Sequence, residues 1–125
     1  MSPLDGDTFR GPDPRPSKRV KNPKVAKKLH ANLGPCVLCG DPAHSLHHVL
    51  PKSSSGDDVE ANLVSVCGSG TTGCHGRIEN QDLQARMDLG AYLRMNRPDT
   101  LSYIRGKLGD EEGSEWLTRR LLIHL

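Results

Sequence analysis

The 125-residue chain has few aromatic residues and no long apolar run. Aromatics make up 3% of it and hydrophobic residues 34%, so a large independent core is not expected. Such chains usually depend on disulfides, a bound metal or a partner. The first twenty residues lack the apolar stretch of a secretory signal, and no segment could span a membrane. We therefore expect a cytoplasmic protein with reduced thiols and no membrane contact.

The net charge of the chain is only +2, but the charges are unevenly distributed, and residues 18–28 contain no acidic residue. Six basic residues lie within eleven positions there: Lys18, Arg19, Lys21, Lys24, Lys27 and Lys28. Such segregation indicates contact with a polyanion, but a solvated charged tail would look the same.

Composition divides the chain into three parts. Residues 1–32 read as a basic, Pro-rich and largely disordered arm, with a possible short helix after Pro23. Residues 33–81 hold all four cysteines and most of the histidines. Residues 82–125 show helical patterns and form a predicted helical extension.

The central part reads as two strands and a helix. Residues 45–50 (SLHHVL) are a predicted strand that Pro51 stops. Residues 61–67 (ANLVSVC) are a second strand or extended segment, followed by a flexible loop (GSGTTG). A helix is predicted from Cys74 or His75 to about Asn80.

Three further helices are predicted after position 82. Asp82 caps a helix from Leu83 to Leu89 that Gly90 ends in a left-handed conformation, and the following AYLRM is ambiguous between strand and helix. Residues 98–108 form the next helix, which ends at Gly109. The last runs from Glu111 to about His124, and Trp116 is expected to pack in the core.

The four cysteines predict a structural zinc site. Cys36 and Cys39 form a Cys-x-x-Cys pair, and Cys67 and Cys74 lie downstream. Four thiolates around Zn²⁺ leave no open coordination position, as in structural sites. The second pair is more widely spaced than a tight knuckle, but the Gly-rich insert allows Cys74 to return to the metal. Free or disulfide-bonded cysteines are the alternative.

Histidines and one asparagine make a second candidate site. His47 and His48 are adjacent on the first predicted strand, so their side chains point to opposite sides. One can serve a metal and the other a water. Asn62 opens the second strand, and His75 directly follows a cysteine. Isolated histidines of this kind are often only surface residues, but the combination favours a functional site.

The order of Cys-x-x-Cys, LHHVLP, ANLVSVC and CHGRIE resembles the His-Asn-His (HNH) endonuclease family over residues 36–80. The resemblance implies an α+β protein with a ββα-metal (His-Me finger) core, here carrying a structural four-cysteine zinc knuckle between the basic arm and the C-terminal helices. The loop CGSGTTGCH is similar to small nucleases of tailed bacteriophages.

The resemblance also implies a role for each residue of the second site. His48 corresponds to the general base that deprotonates the attacking water, and Asn62 to the residue that holds the loop and orients the base. His47 and His75 correspond to ligands of a catalytic divalent ion. Glu79 stands where some members have a further ligand, although it is not the usual residue there.

The implied activity is hydrolysis of DNA phosphodiester bonds to 5′-phosphate and 3′-hydroxyl products, with Mg²⁺, Mn²⁺, Ni²⁺ or Zn²⁺ as the ion. Basic residues expected to contact DNA phosphates are Lys18, Arg19, Lys21, Lys52 and Arg77.

Two other hypotheses remain open. The chain could be a non-catalytic zinc-ribbon module that binds nucleic acid or a protein. It could also be a phage packaging accessory, located in the host cytoplasm, whose nicking requires the large terminase subunit.

Overall fold

A computed structural model describes residues 18–124 of the chain. Its sheet has two antiparallel strands, β1 (Ser45–His48) and β2 (Leu63–Val66). Since successive side chains of a strand point to opposite faces, His47 is buried whereas His48 is half-buried. The disorder predicted for the start of the arm falls on residues 1–17, outside the described part.

Five α-helices and two short 3₁₀ turns complete the described chain. The 3₁₀ turns, Lys52–Ser54 and Glu60–Asn62, lie between the strands. The helices are α1 (Pro23–Ala31), α2 (Gly73–Glu79), α3 (Leu83–Asn96), α4 (Pro98–Leu108) and α5 (Asp110–Leu121). Strands β1 and β2 followed by α2 form the expected ββα arrangement, and the fold is α+β. None of the described helices combines the length and the apolar character needed to cross a membrane.

A single apolar core joins the ββα unit to the C-terminal helices. It runs from Val64 and Val66 of β2, through Ile78 of α2, to Leu93 of α3 and Leu117 of α5. Burying this surface together stabilises both parts, because each alone would expose apolar side chains to water. The C-terminal helices therefore support the ββα unit directly.

The predicted end of the third helix at Gly90 is wrong. Helix α3 continues through Gly90 and the ambiguous AYLRM to Asn96. Gly90 is buried against α5, where an added Cβ would lie 2.2 Å from the Leu121 carbonyl oxygen. The glycine is therefore needed for close helix packing rather than for a left-handed turn.

The other boundaries largely follow the sequence signals. The Asp82 side chain accepts a hydrogen bond from the Ala85 backbone N–H, as an N-cap should. Gly109 ends α4 with a φ of 98°. Helix α5 ends three residues earlier than predicted, at Leu121, where Leu122 adopts a left-handed conformation. Trp116 is buried, as expected.

Candidate active site and metal centres

The four cysteines converge to form what we call the cysteine cluster: Cys36, Cys39, Cys67 and Cys74. Their sulfur atoms all lie within 4.8 Å of one another. Cys39 Sγ and Cys67 Sγ are 3.7 Å apart, which is too far for a disulfide bond of about 2.05 Å. It matches the edge of about 3.8 Å that a tetrahedron with Zn–S bonds of about 2.3 Å would have. The cluster therefore fits a tetrahedral zinc ion.

Two tight turns bring these cysteines together. The Gly40 N–H donates to the Cys36 carbonyl, closing the first turn. In the second, Ser69 and Thr72 exchange backbone hydrogen bonds, so the predicted flexible loop is a hydrogen-bonded turn. Gly68 begins it with a φ of 82°, a conformation that favours glycine. Cys67 and Cys74 are therefore close in space although six residues separate them in the sequence.

Backbone amides prepare the cysteine cluster for a cation. Burial raises the pKa of Cys36, but hydrogen bonds from the backbone of Cys39, Cys67 and Leu38 outweigh it and bring the pKa to about 7. Burial raises the pKa of Cys74. A bound metal ion would counter the effect of burial on the pKa of Cys74, because a thiol that coordinates a metal is deprotonated.

A second group of metal-binding side chains, the histidine cluster, lies where β1 meets α2. It consists of His47, His75 and Glu79, whose donor atoms lie within 4.8 Å of one another. Glu79 Oε2 is 3.1 Å from His47 Nδ1 and 3.3 Å from His75 Nε2. His75 and Glu79 share a face of α2 because they are four residues apart. Two imidazoles and one carboxylate suit a divalent transition metal or magnesium.

Ser45 fixes the orientation of His75 and was missed by the sequence analysis. The Ser45 hydroxyl donates its only hydrogen to the Gly68 carbonyl at 2.8 Å. It must therefore accept from His75 Nδ1, which lies 2.7 Å away. Nδ1 then carries the proton, and Nε2 keeps a lone pair for a metal. Nothing in the sequence distinguishes this serine from the others.

Charge and burial keep the histidine cluster ready to bind a cation. Burial lowers the pKa of His75, and the neighbouring His47 lowers it further, so the ring is neutral at pH 7. The hydrogen bond to His47 lowers the pKa of Glu79, so its carboxylate is ionised. Neutral imidazole and ionised carboxylate are the forms that bind metals.

His48 points to a different partner, the Asp58 carboxylate. His48 Nε2 is 2.9 Å from Asp58 Oδ1. Burial lowers the pKa of His48, although Asp58 opposes the shift, so the ring is neutral at pH 7. Burial raises the pKa of Asp58, but His48, Asn22 and Arg19 outweigh it and lower the pKa. A neutral imidazole therefore donates to an ionised carboxylate, a pairing that sequence analysis did not identify.

Asn62 holds the segment between the two strands. It is fully buried. Its side-chain oxygen accepts from the Leu50 N–H, and its amide group donates to the carbonyls of Leu50 and Asp57. These bonds fix the segment that follows His48 and the segment that contains its partner Asp58. Asn62 therefore ties the segment after His48 to the loop that contains Asp58.

One cavity is shared by His48 and part of the histidine cluster. It is lined by His48, His75 and Glu79, and also by Lys52 and Ser53, whereas His47 lines a second cavity that Glu79 also reaches. Lys52 is the predicted DNA contact that the structure places at this site.

The other predicted DNA contacts differ in their exposure and in their hydrogen-bond partners. Lys18 and Lys21 are exposed, and Arg77 is exposed and paired with Asp82 at 3.0 Å. Arg19 is instead engaged within the protein, with its guanidinium bonded to Asp58 and to the Gly56 carbonyl.

Comparison with known families finds a match for the central part of the chain. Residues 36–81 match the family model described as HNH endonuclease. We call residues 36–81 the HNH domain, after the family model that they match. The HNH domain contains the cysteine cluster, the histidine cluster and His48, whereas Arg19 and the helices from α3 onward lie outside the match. No curated protein and no solved structure matches the chain.

Proposed function

We propose that the HNH domain is a metal-dependent endonuclease that hydrolyses DNA phosphodiester bonds to 5′-phosphate and 3′-hydroxyl ends. The observation that carries this proposal is the shared cavity. It places a neutral histidine, His48, beside the metal-binding residues His75 and Glu79. A base next to a cation site is what hydrolysis of a phosphodiester requires.

His48 acts as the general base. Its neutral ring accepts the proton of the attacking water, and the imidazolium formed is stabilised by the ionised Asp58 at 2.9 Å. Asn62 keeps the loop after His48 in place through its bonds to Leu50. General-base catalysis of this kind contributes about 10²- to 10⁴-fold to the rate.

The histidine cluster holds the catalytic ion, which we propose is Mg²⁺, Mn²⁺, Ni²⁺ or Zn²⁺. When bound, such an ion neutralises charge on the phosphate and on the leaving oxygen. His47, His75 and Glu79 provide three ligands, which leaves coordination positions for the substrate. The cysteine cluster has no open position, so we assign its zinc a structural role.

The exposed basic residues Lys18, Lys21, Lys52 and Arg77 are proposed to contact DNA phosphates. Contacts of this type give salt-dependent affinity without sequence specificity. Lys52 lines the active-site cavity and is placed nearest to a bound scissile phosphate.

We further propose that the activity serves phage DNA processing or packaging in the host cytoplasm. The support is the similarity of CGSGTTGCH to loops of small phage nucleases. A packaging role would make the large terminase subunit a partner. Adding that subunit to the nuclease assay and measuring a change in nicking rate tests this.

A plasmid-nicking assay tests the nuclease activity. The zinc-loaded full-length protein is incubated with supercoiled DNA and Mg²⁺ or Mn²⁺. Wild type should convert it to nicked or linear forms, and His48→Ala should be slower by about 10²- to 10⁴-fold. His124→Ala is the matched control, because His124 is exposed and outside the HNH domain.

Nicking that survives in His48→Ala would contradict the assignment of the base. DNA binding without cutting in any metal, with or without terminase, would favour the non-catalytic zinc module instead.

A further inference from the structure

The Asp58 carboxylate is held from three sides. His48 Nε2 and the guanidinium of Arg19 both donate to Oδ1, and the Asn22 backbone N–H donates to Oδ2 at 2.9 Å. The Asp58 side chain is only 11% exposed. A buried carboxylate needs such partners, because burying an unpaired charge is costly.

Two of those partners come from a segment outside the HNH match. We call residues 19–22 the N-terminal strap. Its Val20 carbonyl accepts from the Asp58 N–H at 2.9 Å, and its Val20 N–H donates to Asp57 Oδ1 at 2.6 Å. Arg19 Nε also donates to the Gly56 carbonyl at 2.8 Å. The strap is therefore bonded along the whole loop of residues 56–58.

The same loop is fixed from the C-terminal side. Asp57 accepts hydrogen bonds from Lys107 Nζ at 2.9 Å and from the Tyr103 hydroxyl at 2.7 Å. Both donors lie on α4. The loop that carries Asp58 is thus clamped between the strap and a C-terminal helix, and the Asp58 carboxylate is bonded to the His48 ring, which lines the active-site cavity.

Asp58 determines which nitrogen of His48 is basic. The Asp58 carboxylate accepts from Arg19 and from the Asn22 N–H, and a carboxylate only accepts hydrogen bonds. His48 Nε2, 2.9 Å from Oδ1, must therefore carry a proton. The other ring nitrogen, Nδ1, is then the one that can hold a lone pair. In the described part of the chain, no hydrogen-bond partner of Nδ1 is found, so that nitrogen is free to accept a proton from water.

We infer that Asp58 is a positioning residue for His48, and that the N-terminal strap, through Arg19 and Asn22, holds Asp58 in place. The inference rests on the proposed nuclease function. Arg19 accordingly acts through Asp58 rather than on DNA. The strap is thus part of the catalytic unit although it precedes the HNH domain.

The first test measures the tautomer of His48 and does not depend on nuclease activity. Long-range ¹H–¹⁵N spectra of the imidazoles are recorded at pH 8 on the zinc-loaded full-length protein without other divalent ions. Wild type should show His48 protonated on Nε2. Asp58→Ala should give a mixture of tautomers, and Arg19→Gln an intermediate spectrum. An unchanged Nε2–H tautomer in a folded Asp58→Ala protein would overturn the inference. If that variant fails to fold, Arg19→Gln provides the same measurement.

The second test separates positioning from DNA binding. Asp58→Ala should lower kcat about 10- to 100-fold, in the range of residues that orient an active-site ligand, and Arg19→Gln about 3- to 10-fold, with KM for DNA nearly unchanged. Lys21→Gln is the comparator, since it removes the same charge from an exposed strap position. It should raise KM instead.

An Arg19→Gln protein that resembles Lys21→Gln, with raised KM and normal kcat, would show that Arg19 contacts DNA and would overturn the inference. If wild type does not cut DNA at all, the proposed function fails, while the spectra still decide whether Asp58 orients His48.

Discussion

The cysteine cluster and the histidine cluster both lie beside the β1–β2 strand pair but differ in their donors. The first has four thiols of one chemical type, held by two tight turns. The second has two imidazoles and a carboxylate, and its Glu79 side chain is 48% exposed. Four soft ligands close a site, whereas three mixed ligands leave it open to solvent and substrate. The difference supports the proposed structural role for the first cluster and the proposed catalytic role for the second.

The two clusters are nevertheless linked through α2. Cys74 belongs to the cysteine cluster, and the next residue, His75, belongs to the histidine cluster. The His75 N–H also donates to the Cys67 carbonyl at 3.0 Å. A metal held by the cysteines would therefore fix the start of α2 and the position of His75. The two metal sites are expected to be coupled, and by linkage each ion changes the affinity for the other by the same factor.

The largest predicted effect is loss of the cysteine cluster. Cys36→Ser, or removal of zinc by a strong chelator, should unfold the HNH domain. Zinc binding contributes about 10–16 kcal/mol in small zinc-dependent folds, which is as large as the total stability of about 5–15 kcal/mol of a typical domain. Circular dichroism melting and zinc content by mass spectrometry check this.

His75→Ala is the matched control for that experiment. It removes a ligand of the histidine cluster but none of the cysteine cluster, so zinc content and the folded spectrum should be retained while nicking is lost. A Cys36→Ser protein that melts cooperatively within a few degrees of wild type would refute the structural role of the cysteines.

A smaller effect is predicted for Ser45→Ala, which tests the orientation of His75. Without the hydroxyl, His75 can place its proton on Nε2, where it competes with the ion. Residues that orient a metal ligand are worth about 10- to 100-fold in metal affinity. Calorimetric titration with Mn²⁺ should show this weakening, whereas zinc content stays unchanged. Equal Mn²⁺ affinity in Ser45→Ala and wild type would show that the hydroxyl does not select the tautomer.

Spacing in the sequence predicts those parts of the site whose chemistry requires particular residue types. Cysteines are rare and chemically distinctive, so residue type and spacing mark Cys36 and Cys39 as candidate ligands, whereas the roles of His47 and His75 are implied by the family resemblance. The ββα order followed from apolar alternation and from turn residues such as Pro51. Gly90 shows what sequence patterns cannot predict. A glycine near the end of a helical pattern is compatible with a helix end and equally with close packing of that helix against another helix.

Partners that act through tertiary contacts could not be predicted. Ser45 and Asp58 are common polar residues, and their importance depends on the atoms placed beside them by the sheet and by the strap. The pairing of Arg19 with Asp58 spans 39 residues, a separation that no local pattern encodes. The basic residues around Arg19 favour the prediction that it contacts DNA, whereas the structure pairs Arg19 with Asp58 inside the protein.

The smallest predicted effect is the response of the two clusters to acid. The pKa of His75 is lowered by burial and by His47, so protons should compete with Mn²⁺ only below the ordinary value of about 6.5. The folded protein then binds fewer protons than the unfolded chain just below that pH. The free energy of unfolding of the Mn²⁺-free protein is therefore fully retained above pH 6.5 and decreases as the pH falls towards the lowered pKa.

Calorimetric titration with Mn²⁺ and urea unfolding, both between pH 5 and 8, measure this response. His48 has a lowered pKa as well, so His75→Ala should remove only part of the dependence of stability on pH. Zinc should stay bound over the same range, because four thiolates hold it far more tightly than nitrogen and oxygen ligands hold Mn²⁺. Loss of zinc at the same pH as loss of Mn²⁺ binding would mean that the two ions bind as one strongly coupled unit. The division into a structural and a catalytic metal would then have to be replaced by a single cooperative centre.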